Sequence, residues 1–330
     1  MAELISQFEE ARARVEPETA DKENAASAHQ EVREELESFS YFQDARVDTV
    51  LIGSYKRQVS IRRVKDVDVF TKLEDLAEDV DPRELLTQTV ADLTSAFGDR
   101  VEAQDRSVKV AFPDFDLDVD VVPARPQGDV WEIPNRSDAA EPWQTTNPER
   151  LTDLTTSMNE RYDDLYVPVV KLIRQTRRNL LGKVEKPGGL VFEVMTFHAF
   201  DEGLDGENLP RLYVAAIEAT SALLDAHMYG SVVIEDPSLP GTPLSVRATD
   251  AQLARAVRTW NDAATTARHA LDTDDVCEAA KLYRGLFGTN EGDAQVFPWP
   301  AACKEDGTPK DLAGVRSGLR EVPAGDGRFA

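Results

Sequence analysis

Aspartates alternate with apolar residues in two separate segments of the chain, VKDVDVFTKL and DFDLDVDVV. A period of two is typical of a β-strand that buries one face, because successive side chains point to opposite sides of a sheet. Each segment is therefore predicted to be a strand with its acids on one face. The acids are Asp66 and Asp68 in the first segment and Asp116, Asp118 and Asp120 in the second. The chain must accordingly fold around a sheet that carries a row of carboxylates.

Carboxylates crowded on one sheet face need partners of opposite charge. Removing even one from water costs several kcal/mol unless a cation or a donor compensates it. Oxygen ligands two residues apart on one strand, with a third from a neighbouring strand, suit Mg²⁺, and a water-exposed face of an amphipathic sheet is the alternative. Residues two apart on a strand are separated by ~6.6 Å, so at most one or two acids of the second segment can reach a shared metal. Periodicity alone does not choose among those three acids.

A glycine-serine pair, Gly53 and Ser54, ends a further segment of strand-like composition, ARVDTVLI. Glycine in a tight turn brings a backbone N–H and the serine hydroxyl to a phosphate with no β-carbon in the way. The next stretch is rich in basic residues, namely Lys56, Arg57, Arg62, Arg63 and Lys65. A basic cluster of this kind favours a phosphate site, and a solvated basic hairpin is the alternative.

The overall charge restricts the partners of the chain. Lys and Arg number 37 and Asp and Glu 61 in 330 residues, which gives a net charge of −24. Such a surface repels nucleic-acid backbones and anionic lipid, so we expect neither an extended nucleic-acid surface nor membrane binding.

The sequence contains no signal-peptide core and no run of ~18 apolar residues, which predicts a soluble, cytoplasmic protein. Cys277 and Cys303 match no zinc or redox spacing and are expected to be free thiols in a reducing compartment.

The patterns divide the chain into a strand-rich half and a helical half. We predict a sheet-containing core at 1–147, with N-terminal helices, the longer at 17–39, and a mixed sheet of about five strands. Residues 123–148 have a loop-like composition and join this core to a helical lobe at 148–290, and 291–330 is expected to be an irregular tail. Helices of the second half are predicted at 148–159, 164–181, 190–200, 212–228, 249–271 and 274–287.

The segment GSYKRQVSIRRVKDVDVF, at 53–70, resembles the GSYxRxT…DVD signature of a nucleotidyltransferase family. That family includes cyclic GMP-AMP synthase, the oligoadenylate synthetases and the bacterial cGAS/DncV-like enzymes (CD-NTases) of anti-phage signalling. The segment DVVPA, which begins at Asp120, is similar to the strand that carries the family's third metal-binding aspartate, and VVKLIRQTRRN resembles its lid helix. The resemblance covers about residues 15–290 and departs from the signature at Val59, where the family has threonine.

The resemblance implies a fold class and a set of site residues. The fold is a bilobal α+β nucleotidyltransferase of the DNA polymerase beta-like type, with the active site between a mixed-sheet lobe and a helical lobe like that of the oligoadenylate synthetases. Asp66, Asp68 and Asp120 would be the catalytic acids and bind Mg²⁺, for which Mn²⁺ can substitute. The residues that the resemblance assigns to the nucleotide are Gly53, Ser54, Arg57, Lys171 and Arg174.

The resemblance also implies an activity. The chain would be a Mg²⁺-dependent, template-independent nucleotidyltransferase that makes a cyclic di- or trinucleotide, or a short oligonucleotide, from NTPs, with ATP among them. Its setting would be bacterial anti-phage (CBASS) signalling, with a regulatory protein partner and a downstream effector that responds to the product. Two alternatives stay open: a toxin-like nucleotidyltransferase that modifies tRNA or protein, and a non-catalytic nucleotide-binding module.

Overall fold

The computed structural model describes residues 3–183 and 185–310, and it has the α+β architecture that the sequence predicts. In chain order the helices are α1 (Ile5–Val15), α2 (Thr19–Ser38), α3 (Ser40–Asp44), α4 (Gly53–Lys56), α5 (Pro82–Phe97), α6 (Pro148–Arg161), α7 (Tyr166–Leu181), α8 (Gly189–Glu202), α9 (Leu209–Met228), α10 (Asp250–Asp272) and α11 (Val276–Phe287). The six helices expected in the second half, α6 to α11, are confirmed with ends that differ by at most three residues. Among the described residues, no helix has both the length and the apolar run that crossing a membrane would need.

The strands of the described residues form one seven-stranded sheet. They are β1 (Val47–Ile52), β2 (Asp66–Leu73), β3 (Val101–Ala103), β4 (Val108–Phe112), β5 (Leu117–Gln127), β6 (Val130–Pro134) and β7 (Trp143–Thr146). The central path is β1-β2-β5-β4-β3, and β6 and β7 extend the sheet beyond the end of β5. β2 and β5 are parallel, whereas the other neighbours are antiparallel. The expected mixed sheet is confirmed, with seven strands rather than about five.

The valine faces of the two acidic strands are buried under helices. Val67 and Val69 of β2 are fully buried in one core with Val32 and Leu36 of α2. Helix α5 contributes Leu85 and further apolar residues to the same core. Because side chains alternate along a strand, burial of this face leaves the aspartates of β2 and β5 on the opposite face.

The expectation of a loop-like joint at 123–148 is wrong for most of its length. The end of β5, together with β6 and β7, lies within it. Trp131 packs edge-on against Phe70 with ring centroids 6.0 Å apart, and the Arg125 guanidinium lies 3.9 Å from the ring centroid of Trp143. These tertiary contacts outweigh the local preference of a segment rich in proline, because strand formation depends on cross-strand packing.

The helical lobe has its own core, and both termini of the described chain enter it. Phe8 of α1 is fully buried there and packs edge-on against Tyr283 and Phe297, with ring centroids 4.8 and 5.3 Å apart. The structure thus packs α1 with the helical lobe, although it precedes the sheet in sequence. Residues 291–310 form no helix or strand, as expected, yet Phe297 anchors them in this core. The rest of the expected tail, 311–330, lies outside the described residues.

Cys277 and Cys303 form a disulfide, so the expectation of free thiols is wrong. Their Cα atoms lie 5.6 Å apart, within the range that a disulfide bridges. The bond joins α11 to the segment 291–310 across 26 positions of sequence. Such a separation matches no recognised spacing, and only the packing of that segment brings the two residues together.

Candidate active site

The acids of the sheet meet where β2 and β5 run side by side. Asp68 lies opposite Asp120, and Asp66 lies opposite Asp118. Neighbouring strands are ~4.8 Å apart, and paired positions on parallel strands present their side chains on the same face. The predicted juxtaposition of the two acidic strands is therefore present.

Asp116 does not lie on the face that carries Asp118 and Asp120, although the period-two pattern predicted that all three would share it. It precedes β5 with a left-handed φ of 51°. Its carboxylate pairs with Lys65 and with Arg63, the latter at 3.3 Å, as expected of an acid that does not bind metal. The hydrogen bond from Lys65 lowers the pKa of Asp116. Two of the basic residues beside the glycine-serine turn are therefore already paired, and they share one carboxylate.

Asp120 lies in surroundings that disfavour its charged form. Its Oδ1 atom is buried and accepts no hydrogen bond. Burial, followed by the charges of Asp68 and Asp66, raises the pKa of Asp120 to about 7. Burial is also the main cause that raises the pKa of Asp68 and of Asp66. A divalent cation would relieve this repulsion, since Mg²⁺ is bound by oxygen ligands of this type.

The acids line one surface without forming a complete cage. Among the described residues, no three His, Cys, Asp or Glu side chains are grouped so as to hold a metal ion by themselves. Mg²⁺ commonly takes only one or two carboxylates and completes its shell with water and substrate phosphates. Asp66, Asp68 and Asp120 therefore fit a metal that arrives with a nucleotide, because the phosphates supply the remaining ligands.

Gly53 lies directly against Asp68. It follows β1 and begins α4 with a φ of +73°, a value that residues with a β-carbon rarely adopt. A Cβ at this position would lie 1.8 Å from Oδ2 of Asp68, so only glycine fits. In the next residue, Ser54, the Oγ atom lies 3.0 Å from Oγ of Ser60. The turn thus places a hydroxyl beside the first acidic strand.

Two of the expected nucleotide-binding arginines share a buried carboxylate that the sequence analysis missed. Nε of Arg57 donates to Oε1 of Glu193 at 2.6 Å, and Nη1 of Arg174 donates to Oε2 at 2.9 Å. Glu193 is only 2% exposed. Burial opposes its ionisation, but the two guanidinium groups outweigh burial and lower the pKa of Glu193. A single glutamate inside the apolar run GLVFEVMTF was the available signal, because a buried charge requires partners.

Arg174 also faces a basic cavity beside the acids. The cavity has a volume of about 280 Å³ and is lined by groups from both lobes. Its polar lining includes Ser54, Asp66, Arg174, Arg177, Arg178, Lys183 and Glu291. Glu291 pairs with Arg178 at 3.4 Å and with Lys183 at 3.0 Å. A hydroxyl, an acid of β2 and several cations thus surround one space.

Lys171 lies outside this cavity. Its Nζ atom donates to Oε2 of Glu16 at 2.5 Å, and burial lowers the pKa of Lys171. Lys171 borders a separate cavity of about 350 Å³, together with Lys22 and Tyr55. The structure therefore brings Arg174, but not Lys171, to the space beside the acids.

Comparisons with known proteins identify a matching domain model, similar sequences and similar folds. Residues 2–159 match the family model of the Second Messenger Oligonucleotide or Dinucleotide Synthetase domain, SMODS. A cyclic AMP-AMP-AMP synthase from an Acinetobacter species is 27% identical over 328 residues, covering 95% of this chain and 91% of the relative. Two solved structures of Escherichia coli MS115-1 CdnC share the fold at 20% identity. The complex with HORMA-deltaN has a TM-score of 0.69 over 89% of this chain and 97% of that chain, and the structure with ATP has a TM-score of 0.68 over 86% and 98%.

Proposed function

Because this chain belongs to the bacterial CD-NTase family of nucleotidyltransferases, which make cyclic oligonucleotide second messengers, we propose that it joins ATP, alone or with a second nucleotide, into a cyclic di- or trinucleotide. The Acinetobacter relative, named for three AMP units, and the CdnC structure with ATP support ATP as a substrate. Each joining step forms a bond from a ribose hydroxyl oxygen to the α-phosphorus of a second nucleotide, breaks the bond from that phosphorus to pyrophosphate, and releases the hydroxyl proton. Ring closure repeats this step within one molecule.

In this proposal Asp66, Asp68 and Asp120 hold Mg²⁺, with Mn²⁺ as a substitute. The observation that carries the proposal is the pairing of Asp68 with Asp120 on adjacent strands, where Oδ1 of Asp120 is buried without a hydrogen bond. A divalent ion supplies positive charge to the reacting phosphate and lowers the pKa of the attacking hydroxyl. The sheet contributes fixed positions for the three acids, because β2 and β5 are hydrogen-bonded neighbours.

The other groups of the site bind phosphate. Ser54 and Arg174 line the same cavity from opposite lobes, so a triphosphate between them would be held from both sides. Gly53 permits this approach, since no Cβ separates the turn from Asp68. Arg57 is buried and acts through its charge rather than by direct contact with the nucleotide. For Lys171, which borders the other cavity, contact with the nucleotide stays a prediction.

Asparagine variants of neighbouring acids test this assignment. We expect Asp68→Asn and Asp120→Asn to lose turnover of radiolabelled NTPs by several orders of magnitude, because a neutral amide is a poor substitute for an ionised metal ligand. Asp118→Asn is the matched control and should retain most of its turnover at equal thermal stability. An active Asp120→Asn protein beside an inactive Asp118→Asn protein would reassign the third ligand. An active Asp68→Asn protein would contradict the site as a whole.

We place the enzyme in the cytoplasm, where NTPs are available, and in anti-phage CBASS signalling. The likeness to CdnC bound to HORMA-deltaN supports a regulatory protein partner, and a second messenger requires a downstream effector.

The two alternative functions differ from the proposal in where the nucleotide goes: to tRNA or protein in one, and to no acceptor in the other. A phosphatase-resistant small product from purified protein, NTPs and Mg²⁺ supports the proposal. Label transferred only to added tRNA or protein supports the toxin-like enzyme, and nucleotide binding without turnover under all conditions supports the non-catalytic module.

A further inference from the structure

Glu193 connects the two lobes through a pair of arginines. Arg57 follows α4, immediately after the glycine-serine turn, whereas Arg174 lies on α7 of the helical lobe. Glu193 itself is on α8, and each of its carboxylate oxygens accepts a hydrogen bond from one arginine, at 2.6 and 2.9 Å. Because both oxygens are engaged, the two guanidinium groups are fixed relative to each other.

The charges of this cluster do not cancel. Within these three side chains one carboxylate faces two guanidinium groups, which leaves one unit of positive charge. The further acid whose charge acts on both arginines is Asp68, which the proposed function assigns to the metal. The side chain of Arg57 is 5% exposed and that of Glu193 is 2% exposed, so water screens this charge weakly. Arg174 is 19% exposed and lines the cavity that also contains Ser54. The excess positive charge is therefore presented where a triphosphate would bind.

A purely structural role would not require one buried glutamate to pair with two arginines. A buried pair contributes little net stability compared with apolar residues of the same shape, because desolvation offsets the attraction. A carboxylate that fixes two arginines at the edge of a cavity instead pre-organises positive charge, and pre-organised charge needs no rearrangement during the reaction.

We propose that Glu193 is a positioning residue for the reaction, which holds Arg57 and Arg174 so that their positive charge is fixed at the phosphates of the nucleotide. This inference rests on the proposed function. Glu193 does not touch the nucleotide, and it acts through Arg174 in the cavity and through Arg57 behind Asp68. Its loss therefore affects the geometry of the reacting phosphate more than the affinity for the nucleotide.

Glu193→Gln tests the proposal because it keeps the shape of the side chain and removes its charge. We expect kcat to fall about 100-fold, since displacing a catalytic group by ~1 Å has this effect. KM for ATP and the Kd of a non-hydrolysable ATP analogue should stay within about threefold of the unmodified protein, because both arginines remain charged. In a protein that already carries Arg174→Lys, adding Glu193→Gln should lower kcat by no more than about threefold, since residues that act as a unit are not additive.

Two further variants keep the test decisive. Glu193→Asp retains the charge but is too short to reach both arginines, and we expect it to fold and to lose kcat about 10-fold. Glu218→Gln removes the acid that pairs with Arg268 at 2.8 and 2.6 Å, between α9 and α10, and should leave kcat unchanged. Unchanged kcat in folded Glu193→Gln or Glu193→Asp protein would overturn the proposal, as would independent, multiplicative effects in the double variant. An unmodified protein that forms no product would instead refute the proposed function.

Discussion

Replacing Gly53 by alanine tests the contact between the glycine-serine turn and the acidic strands. The new Cβ would lie 1.8 Å from Oδ2 of Asp68, whereas ordinary contacts begin at about 3.4 Å, so the carboxylate must move by more than 1 Å. Bonds to Mg²⁺ are ~2.1 Å long, and such a shift removes the ligand from the metal. We expect kcat/KM to fall at least about 100-fold, because misplacing a catalytic group by ~1 Å has an effect of this size.

A matched glycine separates this effect from backbone strain. Gly53 has a φ of +73° and Gly230 a φ of +71°, but no atom lies within 4 Å of a Cβ built on Gly230. Both alanine variants should therefore lose ~1–2 kcal/mol of unfolding free energy in urea, and only Gly53→Ala should lose NTP turnover. Turnover above a tenth of the original value in Gly53→Ala, or an equal loss in Gly230→Ala, would refute the reasoning.

Three further predictions concern acids, cysteines and lysine. Burial raises the pKa of Asp120 to about 7, above ~3.9 in the unfolded chain, so the metal-free protein should lose up to about 4 kcal/mol of stability between pH 4 and pH 7. Asp120→Asn should reduce this slope in urea unfolding with EDTA, and an unchanged slope would contradict the burial of the charge. Reducing the Cys277–Cys303 bond should lower the unfolding free energy by about 3 kcal/mol, and a Cys303→Ser protein should show no response to reductant. Lys171→Met should change KM for ATP less than Arg174→Met does, because only Arg174 faces the cavity beside the acids, and equal effects would contradict this.

The acidic strands were predictable because their signal is local. Alternation placed Asp66 and Asp68 on one face of a strand, and the structure keeps both there. The same rule failed at Asp116. This residue precedes the strand in a left-handed backbone conformation, and its side chain pairs with Lys65 instead. A period-two pattern predicts the face of residues inside a strand but not the position at which the strand begins.

The features that escaped prediction depend on residues distant in sequence. Glu193 contacts Arg57 across 136 positions, and Lys171 contacts Glu16 across 155 positions. Lys171 and Arg174 are one helical turn apart, so spacing alone suggested a common role. The cavity that each side chain borders is set instead by the segments that pack against α7 from elsewhere in the sequence. Strand β7 and the disulfide were missed for the same reason, because their partners are set by tertiary packing.

Mass spectrometry of the products tests the central claim most directly. The purified enzyme would be incubated with all four NTPs and Mg²⁺, treated with phosphatase and compared with Asp68→Asn protein prepared in the same way. The account predicts a phosphatase-resistant product whose mass equals two or three nucleotide monophosphate units less one water per linkage, including the linkage that closes the ring, and which is absent from the Asp68→Asn reaction. A linear product alone, or the same product from Asp68→Asn protein, would contradict it.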